Sequence, residues 1–302
     1  MSETDICLEL FIFWLNLTYQ RTFRWDEFAA VAFDDNTRAA IQVRPLMGLS
    51  ANGEWLTARD RLQEQLTAAL PSPVAVWVPL GADLPAGEPA TSDFIESVRN
   101  AGAKLQPRER SYVPLPISLL LRKNADGGGV VSVTGGLNAH WARFTEHVRG
   151  TYDLDSTRLH RLPESEEHLP ELIDRIIERA AKLETGQMVE IETIDAWTVQ
   201  RRDGKQAVTV IGVPAADAQD MGLAVRRNFR RVLAESTSAL REVEAELRAL
   251  VVLGPYPRIE QEGATTAMRG YDPALYAGLD FVCLVADGLV KPLIQPPAGL
   301  PP

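Results

Sequence analysis

Four arginines stand close together in the second half of the chain, at positions that share one side of an α-helix. They are Arg226, Arg227, Arg230 and Arg231, and at 100° per residue they fall within about 140° of arc. A guanidinium can donate two parallel hydrogen bonds to a phosphate or a carboxylate. No acidic residue occurs between Met221 and Arg231. The pattern predicts a surface for an anionic partner, either a nucleic-acid backbone or an acidic protein.

A second basic group precedes this helix. Arg201, Arg202 and Lys205 surround an Asp-Gly pair between two apolar runs, which is a hairpin-turn signal. We expect the hairpin tip and the helix to form one basic patch. The patch has no interleaved aromatic residues, so stacking of single-stranded bases is not predicted. The alternative is a solvated face whose arginines pair with the acid-rich segment 164–192.

The same turn supports a second hypothesis, a metal-dependent phosphoester hydrolase such as a nuclease. Asp203-Gly204-Lys205 has the acid-x-lysine form, in which acids hold magnesium and the lysine steadies the attacking water. The acids that would complete the set lie upstream, at Glu190, Glu192 and Asp195. An exposed turn is a poor place for a buried metal pocket, so we rank this hypothesis second.

No other motif predicts a cofactor or a catalytic set. His140 and His147 are seven residues apart, whereas a zinc-protease helix needs histidines four apart. Glycines cluster at 127–129 without forming a nucleotide-binding motif. Cys7 and Cys283 lie in apolar runs, which predicts buried, unreactive thiols. We expect no cofactor, and the sequence does not decide whether the protein is an enzyme.

Charge and composition limit the function further. The formal net charge is −10, which excludes a protein that coats nucleic acid with its whole surface. The apolar stretch Ile6–Leu17 is too short to span a bilayer and has no basic residue before it. We interpret it as a buried strand and expect no membrane segment. The low cysteine content indicates a reducing cytoplasm, and 26 arginines against 5 lysines indicate a bacterial source.

The first half of the chain shows alternating strand and helix patterns. Further strands are predicted at 40–46, 74–78, 117–123 and 130–133, and helices at 56–70, from Thr91 or Ser92 onward, and at 137–148. The sequence Asp126-Gly127-Gly128-Gly129 between two of these strands predicts a hairpin.

The second half predicts a hairpin and long helices. An apolar face inside segment 164–192 indicates a helix, and runs 189–200 and 207–213 indicate the hairpin. The longest helical pattern covers 216–250, with Leu240, Val243 and Leu247 in a buried seam. Ser236 and Thr237 interrupt that seam, so two consecutive helices are the alternative to one. A last strand is predicted at 280–286.

Together these patterns predict an α+β protein. We expect a mixed α/β domain over residues 1–155, an α+β domain with the hairpin and long helix over 156–291, and a proline-rich tail over 292–302. The predicted function is a non-catalytic binding subunit of a bacterial cytoplasmic complex. It would contact a partner protein or a nucleic-acid backbone through the arginine-bearing helix.

Overall fold

Two mixed six-stranded sheets and six α-helices make up the part of the chain that can be described, so the protein belongs to the α+β class. The computed structural model describes residues 2–27, 31–34, 37–46, 53–79, 81–163, 167–203, 208–212, 221–254, 268, 270–296 and 300. Within these ranges no helix is both long enough and apolar enough to cross a bilayer.

Sheet A joins strands from both ends of the described chain. Its order is β1 (Arg24–Asp26), β2 (Val31–Asp34), β3 (Thr37–Pro45), β10 (Leu247–Leu253), β11 (Phe281–Ala286) and β12 (Leu289–Ile294). The central strands β3, β10 and β11 are parallel, and the outer pairings are antiparallel. The prediction of strands at 40–46 and 280–286 is confirmed.

Helix α1 (Glu3–Tyr19) covers one face of sheet A. The prediction of a strand at Ile6–Leu17 is therefore wrong. The helix begins with a capping box, in which the Ser2 hydroxyl accepts from the Asp5 backbone and the Asp5 carboxylate accepts from the Ser2 backbone. Its apolar residues point in two directions, toward sheet A and toward Trp77 of the second sheet. Its exposed side also carries apolar residues, Phe13 and Leu17, so the sequence lacks the one-sided pattern that identifies helices.

Helix α6 (Met221–Arg241) covers the opposite face of sheet A. The prediction that it continues to residue 250 is wrong, because the chain enters β10 at Leu247. Leu240 and Leu247 are buried as predicted, whereas Val243 is exposed. The polar pair at 236–237 does not break the helix. Both side chains are buried, and the Thr237 hydroxyl donates to the Leu275 carbonyl oxygen at 2.9 Å.

Sheet B contains the other six strands. Its order is β6 (Gly129–Gly135), β7 (Gly150–Ser156), β5 (Arg110–Ala125), β8 (Met188–Arg201), β4 (Val74–Trp77) and β9 (Val208–Ile211). One face is covered by α2 (Gly53–Ala69), α3 (Ala90–Lys104), α4 (Trp141–Thr145) and α5 (His168–Lys182). The helices predicted near 56–70, 91 and 164–192 are confirmed, and the one predicted at 137–148 is a 3-10 turn followed by the short α4.

Both predicted hairpins are wrong, and for the same reason. Strand β7 lies between β5 and β6, antiparallel to the first and parallel to the second. Strand β4 lies between β8 and β9 in the same manner. In each case the two predicted partners run in opposite directions, but a third strand lies between them.

A hairpin that the sequence did not predict forms between β11 and β12, and it closes through Asp287 and Gly288, both at positive φ. The predicted tail at 292–302 therefore begins inside β12. Each sheet takes strands from both sides of residue 155, so the predicted boundary between residues 155 and 156 passes through both sheets.

Candidate functional site

The arginine-bearing side of α6 is the surface on which the predicted function depends. The opposite side of this helix packs into the core of sheet A through Phe229, Val232 and Leu233. That packing turns Arg226, Arg227, Arg230 and Arg231 outward, and all four side chains are exposed. We name these four residues the arginine face.

One end of the arginine face is fixed by Tyr271. The Arg226 guanidinium carbon lies 5.4 Å from the centre of the Tyr271 ring, a cation–π distance. The Tyr271 hydroxyl donates to the Arg226 carbonyl oxygen at 2.5 Å. Burial raises the pKa of Tyr271 above its usual value, and the positive charges of Arg226 and Arg230 partly oppose the shift. Tyr271 is thus a neutral donor that holds the chain beyond residue 270 against the helix.

Arg231 of the arginine face has an acidic partner on its own helix. Arg231 Nη1 lies 3.7 Å from Glu235 Oε1 on the same helix, and both side chains are largely exposed, so this pair is weak. Within the described ranges, no carboxylate lies within ion-pair distance of Arg227 or Arg230. The helix in the acid-rich segment, α5, packs on sheet B through the core that contains β5 and β8.

The second predicted basic group lies elsewhere. Arg202 is buried, and its Nη2 lies 3.4 Å from Glu9 Oε2 of α1. Arg201 ends β8 and is half-buried, and Lys205 lies outside the described residues. Because α1 and α6 cover opposite faces of sheet A, Arg202 is separated from the arginine face by that sheet. The structure therefore does not bring Arg202 and the arginine face into one patch.

The carboxylates of the hydrolase hypothesis are also spread apart. Glu190 and Glu192 are exposed on one face of β8, whereas Asp195 lies on the other face and is buried. Asp203 pairs with Arg108 at 2.7 Å, beyond the strand end. The 13 residues from Glu190 to Asp203 span about 40 Å of extended chain. In the described part of the molecule, no three histidine, cysteine or acidic side chains are placed to share a metal ion.

Asp195 belongs instead to a buried polar cluster. It accepts hydrogen bonds from the backbone nitrogens of His160 and Arg161 at 2.9 and 2.6 Å, and from the Trp197 indole at 3.0 Å. Its other contact is His160 Nδ1 at 3.2 Å. The carboxylate thus holds the segment 159–161 against the edge of β8, in the part of that strand that is not paired with β4.

Next to this segment, the buried side chains of Arg161 and Asp287 form an ion pair between sheet B and the β11–β12 turn. Gln200 Nε2 donates to the Gly288 carbonyl oxygen at 3.4 Å. The turn favours glycine at 288 because φ there is +72°, and a Cβ would also lie 2.8 Å from the Gln200 side chain. Sequence reasoning missed this junction. The available signal was Asp287-Gly288 between two apolar runs.

The face of sheet B away from its helices is open near β6. A shallow depression of about 270 Å³ lies there, lined by Leu120, Arg122, Ser132, Thr134, Asp153, Leu154 and Asp155. Hydrogen bonds from Thr157 hold the pKa of Asp155 below its usual value. The two histidines considered above flank α4, where His147 is exposed and His140 half-buried.

The buried cysteines are confirmed as free thiols in the core between α1 and sheet A. No protein-family model, curated protein or solved structure matches this sequence.

Proposed function

We propose that the protein is a non-catalytic binding protein that holds nucleic acid by its phosphate backbone through the arginine face of α6. The observation that supports this function is the exposure of all four arginines on one side of a helix whose other side is buried. On a chain of net charge −10, such a surface concentrates positive charge at one place. A polyanion would therefore dock there in preference to the rest of the surface.

The dimensions of the arginine face suit a nucleic-acid duplex. From Arg226 to Arg231 the helix rises five residues, or about 7.5 Å. A DNA duplex carries one negative charge per about 1.7 Å of axis with both strands counted, so this length of duplex carries about four phosphate charges, two on each strand. Four guanidiniums therefore meet a comparable number of phosphates, each able to accept two hydrogen bonds.

The mode of contact would be independent of sequence. Exposed positions of α6 from Arg226 onward carry no aromatic residue that could stack on bases. Phosphate contacts orient a protein on the duplex but carry no direct sequence information. We therefore expect strong salt dependence and little preference among sequences.

Fluorescence anisotropy with a labelled duplex of mixed sequence tests this function across a series of salt concentrations. With four phosphate contacts, the logarithm of the binding constant should fall with the logarithm of salt concentration at a slope of about −3.6. The double substitution Arg227→Gln, Arg230→Gln removes two contacts and should reduce the slope by about 1.8.

The matched control is Arg175→Gln, Arg179→Gln on α5. It removes the same charge from exposed arginines over sheet B and should leave the slope unchanged. An equal loss in both variants, or wild-type protein that shows no salt-dependent binding, would overturn the proposed function. Binding of an acidic protein in place of DNA would do so as well.

A further inference from the structure

Sheet B has one edge strand that nothing in the described chain protects. Edge strands expose unpaired backbone groups that could pair with another chain. Proteins usually prevent such pairing with a charged residue or a proline in the strand, with a very short strand, or with a helix or loop that covers the edge. Strand β1 has three residues, and β12 carries Lys291 and Pro292. The edge of β9 is capped by α2, because the Gln63 side chain accepts from the Val210 backbone nitrogen at 3.0 Å. Strand β6 has seven residues and neither charge nor proline.

Apolar side chains flank this edge on both faces of the sheet. Val130 of β6 is 57 % exposed on the open face. On the other face α4 contacts β6, and Trp141 of that helix is 53 % exposed. Exposed apolar groups on both sides of an unpaired edge indicate a surface that another strand covers.

The backbone of β6 is oriented for such pairing. The Gly128 carbonyl oxygen accepts from Gly150 and the Gly136 nitrogen donates to Ser156, so the even-numbered residues direct their backbone groups toward β7. Because these groups alternate along a strand, Val131 and Val133 direct theirs outward. Their side chains are buried in the core of sheet B, which fixes the register of the strand.

The sequence of β6 is close to a palindrome. In GVVSVTG, the residues at equal distances on the two sides of Ser132 are identical or similar in shape. The glycines at the ends match, the valines next to Ser132 match, and Val130 corresponds to Thr134. An antiparallel pair of identical strands centred on Ser132 would match buried valines with valines and exposed side chains with exposed side chains. No like charges would face each other across the axis.

We propose that β6 pairs antiparallel with β6 of a second copy of this chain, about a two-fold axis at Ser132. The two sheets B become one twelve-stranded sheet. Val131 and Val133 exchange backbone hydrogen bonds with Val133 and Val131 of the second copy, and the two Ser132 side chains lie opposite each other. This surface is separate from the arginine face, so the proposal goes beyond the proposed function.

Charge at the axis provides the test. The Ser132 side chain is exposed, so Ser132→Lys and Ser132→Glu leave the core of each subunit unchanged. Light scattering coupled to size exclusion should give twice the 33.3 kDa chain mass for the wild type. Each variant should give 33.3 kDa alone, because like charges would face each other across the axis. An equimolar mixture of the two should return to the doubled mass.

Ser92→Lys on α3 is the matched control, since it adds one charge at an exposed serine of another element. It should remain a dimer. A wild-type protein with the mass of a single chain at every concentration would overturn the proposal, as would a dimer that survives both charges at residue 132. Variants that dissociate but do not pair when mixed would overturn the register centred on Ser132.

Discussion

Sheets A and B have the same number of strands but differ in how they are covered. Helices α1 and α6 close both faces of sheet A, whereas sheet B is open over part of one face and along β6. The central strands of sheet A, LRALVVL and FVCLVA, are accordingly buried almost throughout. Strands β6 and β7 of sheet B alternate buried and exposed residues.

The difference separates two roles. Sheet A is a closed scaffold that fixes α6 and turns its arginines outward. Sheet B leaves part of one face open in the described chain, and we propose that its edge strand β6 pairs with a second copy. The two sheets meet at the buried pair Arg161 and Asp287, where the β11–β12 turn of sheet A reaches sheet B.

Breaking this junction should have the largest effect on stability. Asp287→Asn keeps a residue type that tolerates positive φ but leaves the buried Arg161 charge without its carboxylate. We expect the free energy of unfolding to fall by about 3–5 kcal/mol, measured by urea denaturation. Asp203→Asn removes the carboxylate of the exposed pair with Arg108 and should cost at most about 1 kcal/mol. Equal losses of unfolding free energy in the two variants would show that the buried ion pair stabilises the protein no more than the exposed one.

A leucine from each sheet compares their cores directly. Leu247 of β10 is 2 % exposed, and Leu120 on the open face of sheet B is 38 % exposed. Leu247→Ala should cost about 2–5 kcal/mol, and Leu120→Ala about 0.5 kcal/mol. Urea midpoints at an unchanged slope provide the measurement. If Leu120→Ala lowered the free energy of unfolding as much as Leu247→Ala does, the open face of sheet B would have to be covered.

A smaller effect than that of Leu247→Ala is predicted for the two thiols between α1 and sheet A. Burial raises the pKa of Cys7 and Cys283, and the Glu3 charge raises that of Cys7 further. The unfolded chain loses these protons near pH 8.5 while the folded chain keeps them, so stability falls as pH rises. Between about pH 8.5 and 9.5 each thiol should lower the free energy of unfolding by about 1 kcal/mol.

Urea unfolding at both pH values measures this change, and Cys283→Ala should remove half of the thiol contribution. A pH dependence identical in the wild type and Cys283→Ala would show that this thiol ionises as readily in the folded chain as in the unfolded one.

Sequence patterns identified the elements more reliably than their partners. Local patterns were sufficient for two predictions that are confirmed. The alternation at Val74 and Val76 predicted a strand, and the spacing of Leu62 and Leu66 predicted a helix. Helix α1 was missed because its exposed side also carries apolar residues, Phe13 and Leu17, although Ser2 and Asp5 gave a capping-box signal. The end of α6 was misplaced because leucines at 240, 247 and 250 fit helical spacing while belonging to a helix and a strand.

Pairing between strands depends on residues far away in the chain. Asp-Gly turns at 126–127 and 203–204 predicted hairpins, and nothing local shows that β7 and β4 enter the gaps. The arginine face could be predicted, since it depends on spacing within one helix. The separation of Arg202 from it could not, because that separation depends on sheet A lying between them.

The position of β10 next to β3 also bears on how the chain is made. The Arg38 backbone nitrogen donates to Glu246, 208 residues later. At about 5–20 residues per second, a ribosome needs about 10–40 s to add those residues. During that time α1 and β3 have no β10 to cover them. A chaperone that shields the apolar segment 6–17 during synthesis would therefore raise the yield of folded protein more than one that acts after release.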